Sequence, residues 1–109
     1  MKVFEYRNEQ GALVSFEVRS LWPRWVAYRA IKAIPNVKVI RPLRHFVADN
    51  QDVFCVFKVG STVLEIEEPW GDNSRYVVAS SPAAPSQELE LVKQHFHSYL
   101  PWSLSTSNG

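Results

Sequence analysis

The chain has 109 residues, 46% of them hydrophobic and 21% charged, with a net charge of +1. That length suits one domain with one core, and the composition excludes disordered and fibrous classes. The single cysteine, Cys55, excludes an internal disulfide and points to a reducing compartment, so a cytoplasmic protein is expected.

In chain order, Lys2–Arg7 alternates, with Phe4 and Tyr6 on one face and Val3 and Glu5 on the other. Asn8-Glu9-Gln10-Gly11 reads as a turn, and Leu13–Val18 alternates again, setting Val14, Phe16 and Val18 against Ser15 and Glu17. Together they predict a β-hairpin. Trp22-Pro23 predicts a helix start, because proline in the first helical position forfeits no hydrogen bond. Pro35-Asn36 predicts its end near Ile34. Val37–Phe46 is rich in strand formers but carries Pro42, which predicts an edge strand, a bulge or two short pieces. Val53–Val59 is apolar on both faces until Lys58, as a central strand is. Gly60-Ser61 turns into a strand over Thr62–Glu68, and Arg75–Ser80 forms another.

Ser81–Pro85 is a short linker, and Ser86 is placed to cap a second helix. Glu88 and Glu90 then fall in its first turns, where the helix dipole favours acids. Leu89, Val92, Phe96, Tyr99 and Leu100 form one apolar stripe, and Pro101 ends the helix. Residues 103–109 are a polar tail expected to fray, leaving 1–102 as the folded domain. The order ββαββββα predicts an α+β fold: a mainly antiparallel sheet of five to six strands with both helices packed on one face. No apolar run reaches the roughly 18 residues of a membrane helix, and the first residues lack a signal-peptide core, so no membrane partner is expected.

Charge is unevenly spread along the chain. Residues 1–48 carry nine basic residues and three acids, a net +6, whereas residues 49–109 carry three basic residues and eight acids, a net −5. Such asymmetry produces a bipolar surface if the halves separate in space, and a mixed one if they interleave.

Two places concentrate chemistry. Glu65–Tyr76 gathers acids, an aromatic, turn formers and an arginine into one loop between strands, where function often resides. Alternation turns Glu65 and Glu67 away from the core face and puts Glu67 in solvent. It leaves Glu68, Trp70, Asp72 and Arg75 as the candidate ligand-binding set. Glu68 ends the core-facing row, where Trp70 can desolvate it or Arg75 can hold it ionised. The spacing matches no metal loop, and Asp-Asn-Ser is also ordinary turn chemistry.

The first helix, projected at 100° per residue, buries Val26, Ala27, Ala30, Ile31, Ala33 and Ile34. Its other face carries Trp22, Arg24, Trp25, Tyr28, Arg29 and Lys32. Aromatics among cations are the residues enriched at binding hot spots, so this face is the candidate partner surface. Stacking of single-stranded bases is a second use for such a face, but the near-neutral total charge weighs against nucleic acid.

The remaining candidates carry little. His95 and His97 project to different sides of a helix, and no zinc-type spacing occurs. Cys55 lies mid-strand among Phe and Val, where burial makes a thiol inert. No nucleophile elbow, phosphate loop or dinucleotide fingerprint is present. The expectation is a non-catalytic interaction domain without cofactor or metal, binding a protein partner or a second copy as a homodimer. A small enzyme or ligand-binding domain built on the loop is the alternative.

Overall fold

Six strands and two helices follow one another as β1 (Lys2–Arg7), β2 (Leu13–Arg19), α1 (Arg24–Lys32), β3 (Val37–Arg41), β4 (Val53–Val59), β5 (Thr62–Glu67), β6 (Arg75–Ala79) and α2 (Gln87–Ser98). The structure, a computed structural model, describes residues 2–19, 23–42, 53–69 and 75–99. The strands form one antiparallel sheet in the order β1-β2-β6-β5-β4-β3. Both helices cover the same face, α1 over β3 and β4 and α2 over β1 and β2. This is the expected α+β arrangement, with six strands.

Local chemistry explains the turns. The Asn8 side chain accepts from the amides of Gln10 (3.0 Å) and Ala12 (2.9 Å), and Gly11 takes the positive φ of 81° that closes the β1–β2 hairpin. Asn36, at φ 62°, turns the chain out of α1 into β3. Ser86 caps α2 as expected, its Oγ accepting from the Leu89 amide at 3.0 Å. Strand β3 is an edge strand that stops one residue before Pro42, as a proline in that run requires.

Three local expectations shift. Helix α1 begins at Arg24, with Pro23 as its N-cap rather than its first residue: ψ of 162° leaves Pro23 extended while its carbonyl accepts from Val26 at 3.0 Å. Ala33 is exposed, because the helix closes at Lys32 and the chain turns there. In β2, Leu13 rather than Val14 enters the core, since the ladder shifts register opposite Tyr6 and Arg7. Trp22 and the 103–109 tail lie outside the described residues.

The core sits between the sheet and the helices. Phe16, Phe54, Phe57, Tyr76 and Phe96 are fully buried, with Phe16 against Phe96 at 5.8 Å and Phe54 against Tyr76 at 5.6 Å. A register shift between Val53 and Cys55 turns the consecutive side chains Phe54 and Cys55 both inward. Not every aromatic is core: Phe4 and Tyr6 stand exposed on the sheet's other face, with the Arg19 guanidinium 4.1 Å from the Phe4 ring centre.

The sheet order interleaves the two halves of the chain. Strands β4, β5 and β6, from the acidic half, occupy the centre and are flanked by β1, β2 and β3 from the basic half. Ion pairs cross the division, including Arg7 with Glu90, Lys93 with Glu5, and Arg24 with Glu68. Of the two outcomes for the uneven charge, the chain takes the mixed one.

Four of these groups form a network that ties β1 to α2. Arg7 binds Glu5 at 2.7 Å and Glu90 at 3.0 Å, while Lys93 reaches both carboxylates. The Arg7 guanidinium first, then the Lys93 ammonium, lower the Glu5 carboxyl from its ordinary 4.5 to about 2. Glu90 is lowered as well, chiefly by Arg7. Both carboxylates are depressed in the folded state, so their contribution is full above 4.5 and disappears as pH falls towards about 2. Thermal melts of Glu5→Gln and wild type should therefore differ near neutral pH and converge between 4.5 and about 2. Added salt should narrow the gap, because Glu5, Arg7 and Glu90 are open to solvent. A gap that persists unchanged at acid pH would discount the network.

Candidate functional site

The outward face of α1 is built by spacing on a short helix. Trp25 is 50% exposed, and the Arg29 guanidinium, one turn later, lies 5.9 Å from its ring centre. Tyr28 leans half-buried on the core margin, with the Lys32 ammonium 4.8 Å above its ring. Trp25, Tyr28, Arg29 and Lys32 thus form two adjoining cation–aromatic pairs along one face. Arg24 does not join them in solvent: its side chain is 19% exposed and turns inward to Glu68.

Glu68 directly follows β5 on the core side, as the alternation requires, and is only 3% exposed. Its Oε1 accepts from Arg24 Nε at 2.5 Å, and the same guanidinium lies 5.0 Å from the Phe54 ring centre. Reasoning from the sequence proposed Arg75 to hold this carboxylate; the structure adds Arg24, from the other candidate set. The first turn of α1 and the end of β5 are therefore one place. Arg75 opens β6 beside Arg19 of β2 on the opposite face of the sheet. Glu67, expected in solvent, is half-buried beside Val53 and Val77, because central strands shade it on both sides. Trp70 and Asp72 lie outside the described residues.

A carboxylate that is buried and already paired is well suited to anchoring a helix. The other charged residues of α1, Arg29 and Lys32, are exposed. The other chemistry-bearing residues are accounted for by packing. His95 directs Nε2 at the Ala30 carbonyl, 2.7 Å away, so that nitrogen carries the proton. His97 is exposed. Among the described residues no three His, Cys, Asp or Glu side chains gather as a metal site requires. Burial pushes the Cys55 thiol up to about 11, with Arg41 partly opposing it.

Sequence reasoning missed a cleft at the opposite end of the sheet. It lies between the end of α1, the β4–β5 turn and α2, and encloses about 640 Å³. The one signal in the sequence was Leu91, an apolar residue off the buried stripe of α2, which is 60% exposed.

No known family matches the sequence, and comparison with curated proteins and with solved structures finds no match. No helix among the described residues is long and apolar enough to cross a membrane.

Two predictions follow from this geometry. Replacing Arg24 by Met leaves Glu68 buried with one cation fewer and should destabilise the fold by about 3 kcal/mol. Adding Glu68→Leu should recover part of that loss, which a urea-denaturation cycle of the two single variants and the double variant measures. Strict additivity of the two substitutions would mean that the pair carries no coupling. Separately, a disulfide reagent near neutral pH should modify Cys55 only as fast as the domain unfolds, and at once in concentrated guanidinium. Rapid modification of the native protein would show the thiol to be accessible.

Proposed function

We propose that this chain is a non-catalytic binding domain that self-associates or takes a protein partner through the outward face of α1. One observation carries the proposal: an aromatic ring as large as that of Trp25 stands half-exposed beneath the Arg29 guanidinium, with Tyr28 and Lys32 alongside. An exposed tryptophan gains by desolvation against a partner, and an arginine already stacked on it loses little further freedom on binding. Arg24 supports the surface from below by fixing the first turn of the helix to Glu68. Trp22 belongs to the same proposed contact set by sequence.

The burial of Glu68 and its pairing with Arg24 favour this reading over an acid–base site in the 67–76 loop, because a carboxylate that anchors a helix is held away from solvent and substrate. The buried Cys55 is compatible with a reducing, cytoplasmic setting for the domain.

The test joins assembly to stability. Trp25→Ala together with Arg29→Glu should weaken self-association, followed by sedimentation equilibrium, by at least about tenfold. Unfolding free energy should change by no more than about 0.5 kcal/mol, since both side chains are exposed. An unchanged association constant, and an unchanged set of co-purified proteins in a pull-down, would refute the assignment of this face.

A further inference from the structure

The cleft at the β4–β5 turn has the size and chemistry of a small-molecule site. Its volume of about 640 Å³ falls within the range of roughly 300–1,000 Å³ typical of ligand pockets. Ile34, Pro35, Val59 and Leu91 supply apolar walls, while Asn36, Gln94, His95 and Ser98 add neutral polar groups and Glu88 a carboxylate. Leu91 is 60% exposed on a helix whose buried stripe runs along the other side, so it serves the cleft rather than the core.

Among the described residues the formal charge of the lining is of one sign, that of Glu88. Glu88 Oε1 accepts from the Thr62 hydroxyl at 2.9 Å, and Oε2 rests over the turn, where a Cβ on Gly60 would lie 3.2 Å from it. Among the described residues Oε2 has no hydrogen-bond donor. The Nε2 proton of His95 is committed to the Ala30 carbonyl, so that nitrogen offers no donor to an occupant. Among the described residues no lysine or arginine lines the cleft. A half-buried carboxylate at the edge of an apolar slot selects a cation with an apolar body, because an anion would meet repulsion and a neutral chain would leave the carboxylate shielded from water without a partner.

We propose that this cleft binds an amphiphilic amine, with the ammonium at Glu88 and the apolar chain along Val59, Ile34 and Leu91. The site is separate from the outward face of α1, and Trp25 and Arg29 take no part in it.

Decylammonium, decanol and decanoate are matched probes at neutral pH, each followed by amide chemical shifts and by calorimetry on the full chain. Decylammonium should shift amides of residues 34–36, 59–60 and the α2 face, and should bind at least about tenfold more tightly than decanol, with decanoate weakest. Glu88→Gln keeps an oxygen to accept from Thr62 but removes the charge, so it should bring the amine down to the affinity of the alcohol. Leu91→Ser alters an exposed residue and should weaken amine and alcohol alike by several-fold. Equal binding of amine and alcohol, preference for decanoate, or an amine affinity untouched by Glu88→Gln would overturn the proposal. So would an absence of shifts in the cleft, or sedimentation showing a second copy seated in it in place of the amine.

Discussion

Two helices must share one face of a six-stranded sheet, and the rest of the molecule follows from how they divide it. Strands β1 and β2 pack under α2, strands β3 and β4 under α1, and the helices meet where His95 donates to the Ala30 carbonyl at 2.7 Å. That bond falls in the last turn of α1, where the Ala30 carbonyl also accepts from the Ala33 amide at 3.2 Å, so His95 adds a second donor that ties the helix end to α2. Beyond this meeting point the chain leaves α1 through Pro35 and Asn36, and the helices no longer fill the space above the β4–β5 turn. The cleft is the consequence of that divergence. The outward face of α1 is the other consequence, because a helix packed on the sheet on one side and on α2 at one end has nothing on its remaining side among the described contacts.

Electrostatics reinforce the same division. Interleaving the two halves of the chain brings opposite charges together, Arg7 with Glu90, Lys93 with Glu5 and Arg24 with Glu68, so the sequence-level asymmetry becomes internal attraction instead of a surface dipole. The network of Glu5, Arg7, Glu90 and Lys93 fastens α2 to β1, and the Arg24–Glu68 pair fastens α1 to the end of β5. These two attachments differ in kind. In the first both carboxylates are open to water and screened; in the second the carboxylate is buried, so removal of its partner is felt as an unpaired charge rather than as a lost surface contact.

How much of this was legible in the sequence depends on the range of the interaction involved. The hairpin turn at Asn8 and Gly11 and the Ser86 cap rest on chemistry within a few residues and were readable, whereas Pro42 only narrowed β3 to an edge strand, a bulge or two short pieces. The paired burial of Phe54 and Cys55 was not, because two successive apolar residues in an apolar strand look the same with or without a bulge. The Arg24–Glu68 pair spans 44 residues and requires that the start of α1 reach the end of β5, which only the strand order supplies. For the same reason the helix face and the acidic loop read as two sites, although Arg24 joins them. Exposure of Trp25 was readable from the helical period, whereas the cleft was not: it is a gap between elements, and a gap leaves no periodic trace.

The nine residues of α1 are fewer than the roughly 12–15 an isolated helix needs, so its order is lent by its contacts. Arg24 and Glu68 hold the first turn, Ala27, Ala30 and Ile31 bury the inner face, and His95 holds the last turn. The cation–aromatic pairs on the outer face sit between these anchors and inherit their rigidity. A surface array fixed at both ends loses less conformational freedom on meeting a partner than the same residues on a loop would. The binding property proposed for Trp25, Tyr28, Arg29 and Lys32 therefore depends on residues that face away from the partner. Weakening either anchor is expected to blunt recognition without altering a single contacting side chain.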